Sequence, residues 1–343
     1  MIHIGNIYHM LAYAFRSLSI GGISNVGGEQ FDNLHELFAE IVIRGMLRQR
    51  KRGLPKGYKR EHEELSNLRG KIDILSSIRN LSQVKRRLVC EFDELTEDTP
   101  GNRLIKYALT HLLKKGNVSN TRKRFLKFLH SSLESVTDMQ YQTISPQRTG
   151  GAEYVMLVNI CRFLLDGLLM KTGSGYKIRE WLPDEKMSLL YEHFLLEYFK
   201  RHHLEFNARS ASIEWDSEDL SPYMPNMQSD VYLTYGGKTL IIDAKFYSRT
   251  MAERFGKKLY HSHNLYQIFA YVKNADKAKC GGVSGMLLYA KTDEAITPDS
   301  DSTIGGDRIS VKTLDLSGRF EVIQSQLERI ARALKSSAMV TAA

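Results

Sequence analysis

Apolar residues recur at helical spacing through the first half of the chain. Ile7, Leu11 and Phe15 mark one stripe over residues 2–18, and Leu34, Leu37, Phe38, Ile41 and Leu47 mark another over 31–50. GGISNVGGEQ (21–30) between them predicts a Gly-rich loop, and RGLPKGYKRE (52–61), broken by Pro and Gly, an irregular basic loop. LRGKIDILSSIRN (68–80) and RRLVCEFDEL (86–95) predict strands or short mixed elements. Residues 102–115, 120–136 and 153–170 predict helices. A second pattern starts near Tyr176. Over 184–203, Met187, Leu190, Phe194 and Tyr198 share one stripe, with Asp184 as N-cap. Strands then follow at SIEW (212–215), DVYLTY and KTLIIDAKFY, a helix at 261–275 with Ser262 as cap, strands at 282–290 and 309–316, and a helix over 319–336. The pattern predicts a mixed α/β (α+β) protein. A mainly helical N-terminal domain with some strands (1–175) precedes a C-terminal domain (176–343) with a central mixed sheet flanked by helices.

Gly236-Gly237 between two strand-like runs predicts a tight hairpin. With a two-residue loop, Tyr235 faces Lys238, and the same register sets Asp230 opposite Asp243. Lys245, two residues on, shares that face. Two carboxylates and one ammonium therefore converge. Like charges opposite each other on a hairpin destabilise it, and a divalent cation removes the conflict. The bland alternative is an Asp-Lys ion pair at a strand end. Glu192 and Glu197 of the helix 184–203 are each candidates for a further metal-binding carboxylate. Gln267 and Tyr271, spaced i,i+4, share one face of the following helix.

Composition adds bounds. The 343 residues carry 48 Lys and Arg against 39 Asp and Glu, a net charge of +9, which favours polyanionic partners. Basic residues concentrate between Arg44 and Arg60, where Arg50, Lys51, Arg52 and Lys56 are candidates for partner contact, and again at Arg122, Lys123 and Arg124. Each cluster suits either phosphates or an acidic protein surface. The three cysteines are far apart, which excludes a disulfide framework and a Cys-rich zinc motif and predicts buried free thiols. No apolar run reaches the roughly 20 residues that span a bilayer, and no secretory leader is evident, so the expected location is the cytoplasm without membrane contact. GGKT (236–239) lacks the first glycine of a phosphate loop, so no nucleotide site is assigned. His202-His203 and His261/His263 lack helical metal spacing and read as polar surface.

Asp230, then Asp243-Ala-Lys245, then NLYQIFAY resembles the PD-(D/E)XK nucleases that carry a downstream Gln-x-x-x-Tyr. NIYHMLAYAF, RGKIDILSSIR, FDELTEDTPGNRLIK, EKMSLLYEHFLLEYF, IIDAKFY and HSHNLYQ are similar, in the same order, to segments of the McrC family, the nuclease subunits of McrBC-type restriction systems. The resemblance spans about residues 4–290. It implies a Mg²⁺-dependent endonuclease, with Mn²⁺ able to substitute. Asp230, Asp243 and Glu197 would hold the metal, Lys245 would be the catalytic lysine, and Gln267 and Tyr271 the accessory pair. Ser229 stands where the motif's name has Pro. The resemblance also implies an McrB-like AAA+ GTPase hexamer as partner, which binds the GTP and is stimulated by this chain. The substrate would be double-stranded DNA carrying modified cytosine of the 5-methylcytosine type. Two rival readings are a non-catalytic module that bridges and activates the ring, and a stand-alone nuclease.

Overall fold

The computed structural model describes residues 2–15, 31–139, 150–172, 175–178, 181–217, 219, 221–247, 250–254, 257–291 and 297–341. The Gly-rich loop at 21–30 lies outside them. The chain forms two compact units, one of Met1–Leu37 with Arg179–Ala343, the other of Phe38–Ile178. The break at 178/179 falls three residues from the division read in the sequence. The first 37 residues, however, belong with the C-terminal unit, contrary to the sequence-based division. Helix α1 (Ile4–Ala14) is the reason. The Asn6 amide donates to the carbonyls of Leu316 and Gly318, both at 2.7 Å, and Tyr13 hydrogen-bonds His202 Nε2 at 2.8 Å. Helix α2 (Leu34–Arg52) leads into the other unit.

That unit continues with β1 (Gly57–Leu65), β2 (Lys71–Ile72), α3 (Ile74–Arg79), β3 (Leu88–Thr96), α4 (Pro100–Lys115), α5 (Asn120–Ser131), α6 (Ala152–Leu168), β4 (Leu169–Thr172) and β5 (Gly175–Ile178). Residues 57–61, read as loop, begin a strand instead. Opposite charges face each other across the β1–β3 ladder, Lys59 against Glu94 and Arg60 against Asp93, and such pairs stabilise antiparallel strands. The segment TPGN starts α4. Thr99 caps it, Pro100 takes the first turn where no N–H is needed, and the fully buried Asn102 donates to the carbonyls of Pro55 and Glu97.

The C-terminal unit continues with α7 (Asp184–His202), β6 (Ser212–Ile213), β7 (Met227–Gln228), β8 (Val231–Tyr235), β9 (Lys238–Lys245), β10 (Ala252–Arg254), β11 (Lys257–Leu259), α8 (Ser262–Ala275), β12 (Val283–Ala290), β13 (Ser300–Ile304), β14 (Asp307–Leu314) and α9 (Phe320–Thr341). Pro183 and His261, not Asp184 and Ser262, hold the N-cap positions of α7 and α8, and neither makes a side-chain cap bond. The helices start one residue early because both preceding residues are already extended. The five-stranded sheet has the order β13-β14-β12-β9-β8, with β9, β12 and β14 parallel and both edges antiparallel. Parallel neighbours need a crossover, and α8 supplies it between β9 and β12.

The hairpin has the expected register, with Tyr235 opposite Lys238 and Val231 opposite Ile242. Gly236 and Gly237 have φ of +52° and +75°, as a two-residue type I′ turn requires. Strand β9 is covered on both faces, which accounts for its unbroken apolar run Leu240–Ile242. On one face α8 packs through Ile268 and Val272 against Leu287, Ile309 and Val311. Gly285 allows that approach. A Cβ there would stand 2.7 Å from Ile268 Cγ1 and 2.8 Å from Val272 Cγ2. Gly285→Val is therefore expected to destabilise the fold by about 1–3 kcal/mol through overpacking. Thermal unfolding checks this, and an unchanged midpoint would refute the close packing. Among the described residues no helix is long and apolar enough to cross a membrane. Cys90 and Cys161 are buried as expected, but Cys280 is exposed in the turn before β12.

Candidate active site

Asp243 sits in the middle of the sheet with 2 % of its surface exposed, between Ile242 and Ala244. Asp230 immediately precedes β8. The buried Ser229 positions it, since the Ser229 N–H donates to the Ala211 carbonyl at 2.9 Å. Asp230 Oδ2 accepts the Ala244 N–H at 2.7 Å, which fixes it beside Asp243 as the register requires. Lys245 Nζ lies 2.7 Å from Asp243 Oδ2 and donates to Gln267 Oε1 at 3.1 Å. Gln267 Nε2 in turn donates to the Tyr271 hydroxyl at 2.8 Å. All five residues read from the hairpin and α8 thus form one connected cluster.

Behind it lies a network that the sequence pattern did not single out. Tyr289, the parallel-sheet neighbour of Lys245, accepts from Asn264 Nδ2 at 2.8 Å, and Asn264 Oδ1 accepts from Tyr247 at 3.3 Å. A polar Asn264 on the apolar face of α8 was the available signal.

The cluster carries more negative charge than it can neutralise. Burial, then the charges of Asp243 and Glu192, push Asp230 up to about 7, against the Ala244 N–H. Burial also raises Asp243, despite its attraction to Lys245. Burial would lower Lys245, but the combined attraction of Asp243, Tyr247 and Asp230 raises it. Asp243 Oδ2 is buried and faces the Lys245 ammonium.

The two glutamates of α7 divide. Burial raises Glu192, whose charge is felt at Asp230 and which in turn responds to Lys245 and Asp243. Ser188 donates to it at 3.1 Å. Glu197 instead pairs with Lys200 at 3.0 Å. Five residues apart, the two point about 140° apart around the helix. Of the two, it is Glu192, not the expected Glu197, whose charge is felt at Asp230.

The basic candidates also divide. Arg52 pairs with Glu153 at 2.8 Å and Lys56 lies 3.9 Å from Glu97, whereas the Arg50 guanidinium lies 4.5 Å over the Phe128 ring and Lys51 is exposed. His203, read as surface, is buried against Glu328.

Among the described residues no three or more His, Cys, Asp or Glu side chains form a ready metal cage. Two buried carboxylates held side by side, Asp230 and Asp243, instead fit Mg²⁺, which takes one or two carboxylates and completes its shell with water and phosphate.

A mixed sheet whose hairpin sets two aspartates and a lysine beside a helix bearing Gln-x-x-x-Tyr has the arrangement that the resemblance in sequence implies. More narrowly, the chain belongs to the family described as McrBC 5-methylcytosine restriction system component, whose model matches residues 6–290. It is similar to the Escherichia coli (strain K12) type IV methyl-directed restriction enzyme EcoKMcrBC, with 28% identity over 340 residues, 95% of this chain and 96% of that one. It also shares its fold with a chain of the half-complex from a tetradecameric assembly of Thermococcus gammatolerans McrB AAA+ hexamers with bound McrC. That likeness has a TM-score of 0.58 at 16% identity and covers 96% of this chain and 76% of that one.

Proposed function

We propose that this chain is the Mg²⁺-dependent endonuclease subunit of a cytoplasmic, GTP-dependent restriction complex that cuts DNA carrying modified cytosine. The buried Asp230–Asp243–Lys245 cluster carries the reading. Asp230 and Asp243 would hold the metal, with Glu192 as the third carboxylate. Mg²⁺ bound there would polarise the scissile phosphate and lower the pKa of a bound water. Lys245, clamped between Asp243 and Gln267, presents its ammonium to the attacking water and to the charge that develops on phosphate. Tyr271 fixes Gln267 and so restricts Lys245 to one position. The chain's own turn uses GGKT, so GTP belongs to the partner.

The partner would be an AAA+ GTPase ring of the McrB kind, contacted by the unit Phe38–Ile178. Exposed Ile74, Leu75, Ile78 and Leu81 on and after α3 support this, since clustered exposed apolar side chains suit a protein interface. The test is a mixture of the chain, its McrB-like partner, GTP and a plasmid with methylated cytosines. Cleavage is expected only with all components and Mg²⁺, and EDTA should stop it while GTP hydrolysis is read separately with its own metal requirement. Cutting without partner or GTP would favour a stand-alone nuclease. No cutting in the full mixture, with GTPase stimulation intact, would favour the bridging module.

A further inference from the structure

Most of the basic run between Arg44 and Arg60 is neutralised by acids of its own unit. Arg44 pairs with Glu40, Arg48 and Arg52 meet Glu153, Lys59 meets Glu61 and Arg60 meets Glu91. In the second basic cluster, Arg122 is held by Glu40 at 2.8 Å. What remains is concentrated on one face of α5. Leu126 and Leu129 point into the core, and the exposed arc of the helix presents Arg124 and Phe128 at its middle with Phe125 and Lys127 at its two borders. Phe125 is 46 % and Phe128 54 % exposed, an unusual state for two large rings one turn apart. The end of α2 joins this face, because Arg50 stacks over Phe128, with Lys51 exposed beside it in sequence. Among the described residues no carboxylate pairs with Lys51, Arg124 or Lys127.

We infer that this face, Arg50, Lys51, Arg124, Phe125, Lys127 and Phe128, binds a single strand of DNA. The inference rests on the proposed DNA substrate and adds a second binding surface to it. An acidic protein with apolar side chains of its own could meet both kinds of group, but cation and ring alternate along the helix as Arg124-Phe125 and Lys127-Phe128, which matches the alternation of phosphate and base along a strand. A single strand satisfies both. Its phosphates meet the ammonium and guanidinium groups, and its splayed bases stack on the phenylalanines. Arg50 holds one ring in place and offers its own planar group for stacking. Duplex DNA, with its bases stacked on one another, can use only the cations.

The experiment measures binding of the full chain to a fluorescein-labelled oligonucleotide of about 12 nucleotides by anisotropy, in EDTA, so that no cleavage occurs. The single strand is expected to bind more tightly than the same sequence as duplex. Arg124→Glu/Lys127→Glu should weaken single-strand binding at least about tenfold. It should also flatten the dependence of log affinity on log salt by about 0.7 for each phosphate that is no longer neutralised. Phe125→Ser/Phe128→Ser should weaken binding at least about fivefold and reduce the preference over duplex. These positions are exposed, and an unchanged melting curve for each variant establishes that it folds. Unchanged affinity in the charge-reversed variant overturns the inference. So does unchanged DNA affinity with abolished partner binding, which would assign the face to an acidic protein. Because the readout needs no metal centre, failure of the nuclease reading would show as absent cleavage with this binding intact.

Discussion

Asp230→Asn is expected to cripple DNA cleavage by the reconstituted complex and to raise the melting temperature of the metal-free chain. The rate falls by at least about a hundredfold to a thousandfold, the scale on which a single preorganised charged group acts. Both halves come from the same geometry. Asp230 is pressed against Asp243 and feels Glu192, and burial strengthens that repulsion. The substituted amide keeps an oxygen for the Ala244 N–H and removes a charge from a crowded site. Relief of about 1 kcal/mol corresponds to about 2–4 °C for a domain of 150–250 residues. A site that sacrifices stability for chemistry behaves this way. A structural ion pair would not, because removing its carboxylate lowers the melting temperature. Lys245→Ala should lose cleavage to a similar degree, and stimulation of the partner's GTPase should survive both changes. Undiminished cleavage by Asp230→Asn would remove this centre from the reaction.

Glu192→Gln is expected to weaken Mg²⁺-dependent cleavage about 10–100-fold, the usual cost of losing a group that binds or orients at a metal site. Glu197→Gln should stay within about twofold, since it disrupts an i,i+3 pair with Lys200 whose contribution is only a few tenths of a kcal/mol. Cleavage rates across a Mg²⁺ titration separate binding from turnover, and Glu192→Gln should raise the half-saturating metal concentration. Equal effects of the two variants, or the reverse order, would overturn the choice between them.

That choice shows where sequence stops. The hairpin was legible because side chains alternate strictly in strands and Gly-Gly fixes the loop. Those two facts put Asp230, Asp243 and Lys245 together before any tertiary contact is known. Gln267 and Tyr271 were legible because α8 holds them one turn apart. On α7, by contrast, the buried stripe runs through Leu190, Tyr191, Phe194 and Tyr198. Glu192 and Glu197 border it on opposite sides, so helical periodicity treats them alike. Only the packing of α7 on the sheet decides which border looks toward the aspartates. Other misses have similar causes. Strand β13, SDSTI, is a polar edge strand with almost no apolar alternation. Residues 57–61 looked like loop because Pro55 and Gly57 punctuate them, yet the charges on β1 find opposite charges on β3. The N-terminal helix was read correctly, but its allegiance to the C-terminal unit rests on long-range bonds such as Asn6 to Leu316, which leave no local trace.

The two-glycine turn also sets an arithmetic rule for how this protein can change over time. If one residue inserted at Gly236-Gly237 were taken up by sliding the strands, it would shift the register by one and send one aspartate to the far side of the sheet, where it meets apolar side chains instead of its partner. An insertion of two keeps the parity and can preserve the pairing. Changes in the length of that turn are therefore compatible with the site only where the loop or a bulge takes them up, or where the parity is kept, however exposed and permissive the loop looks from outside.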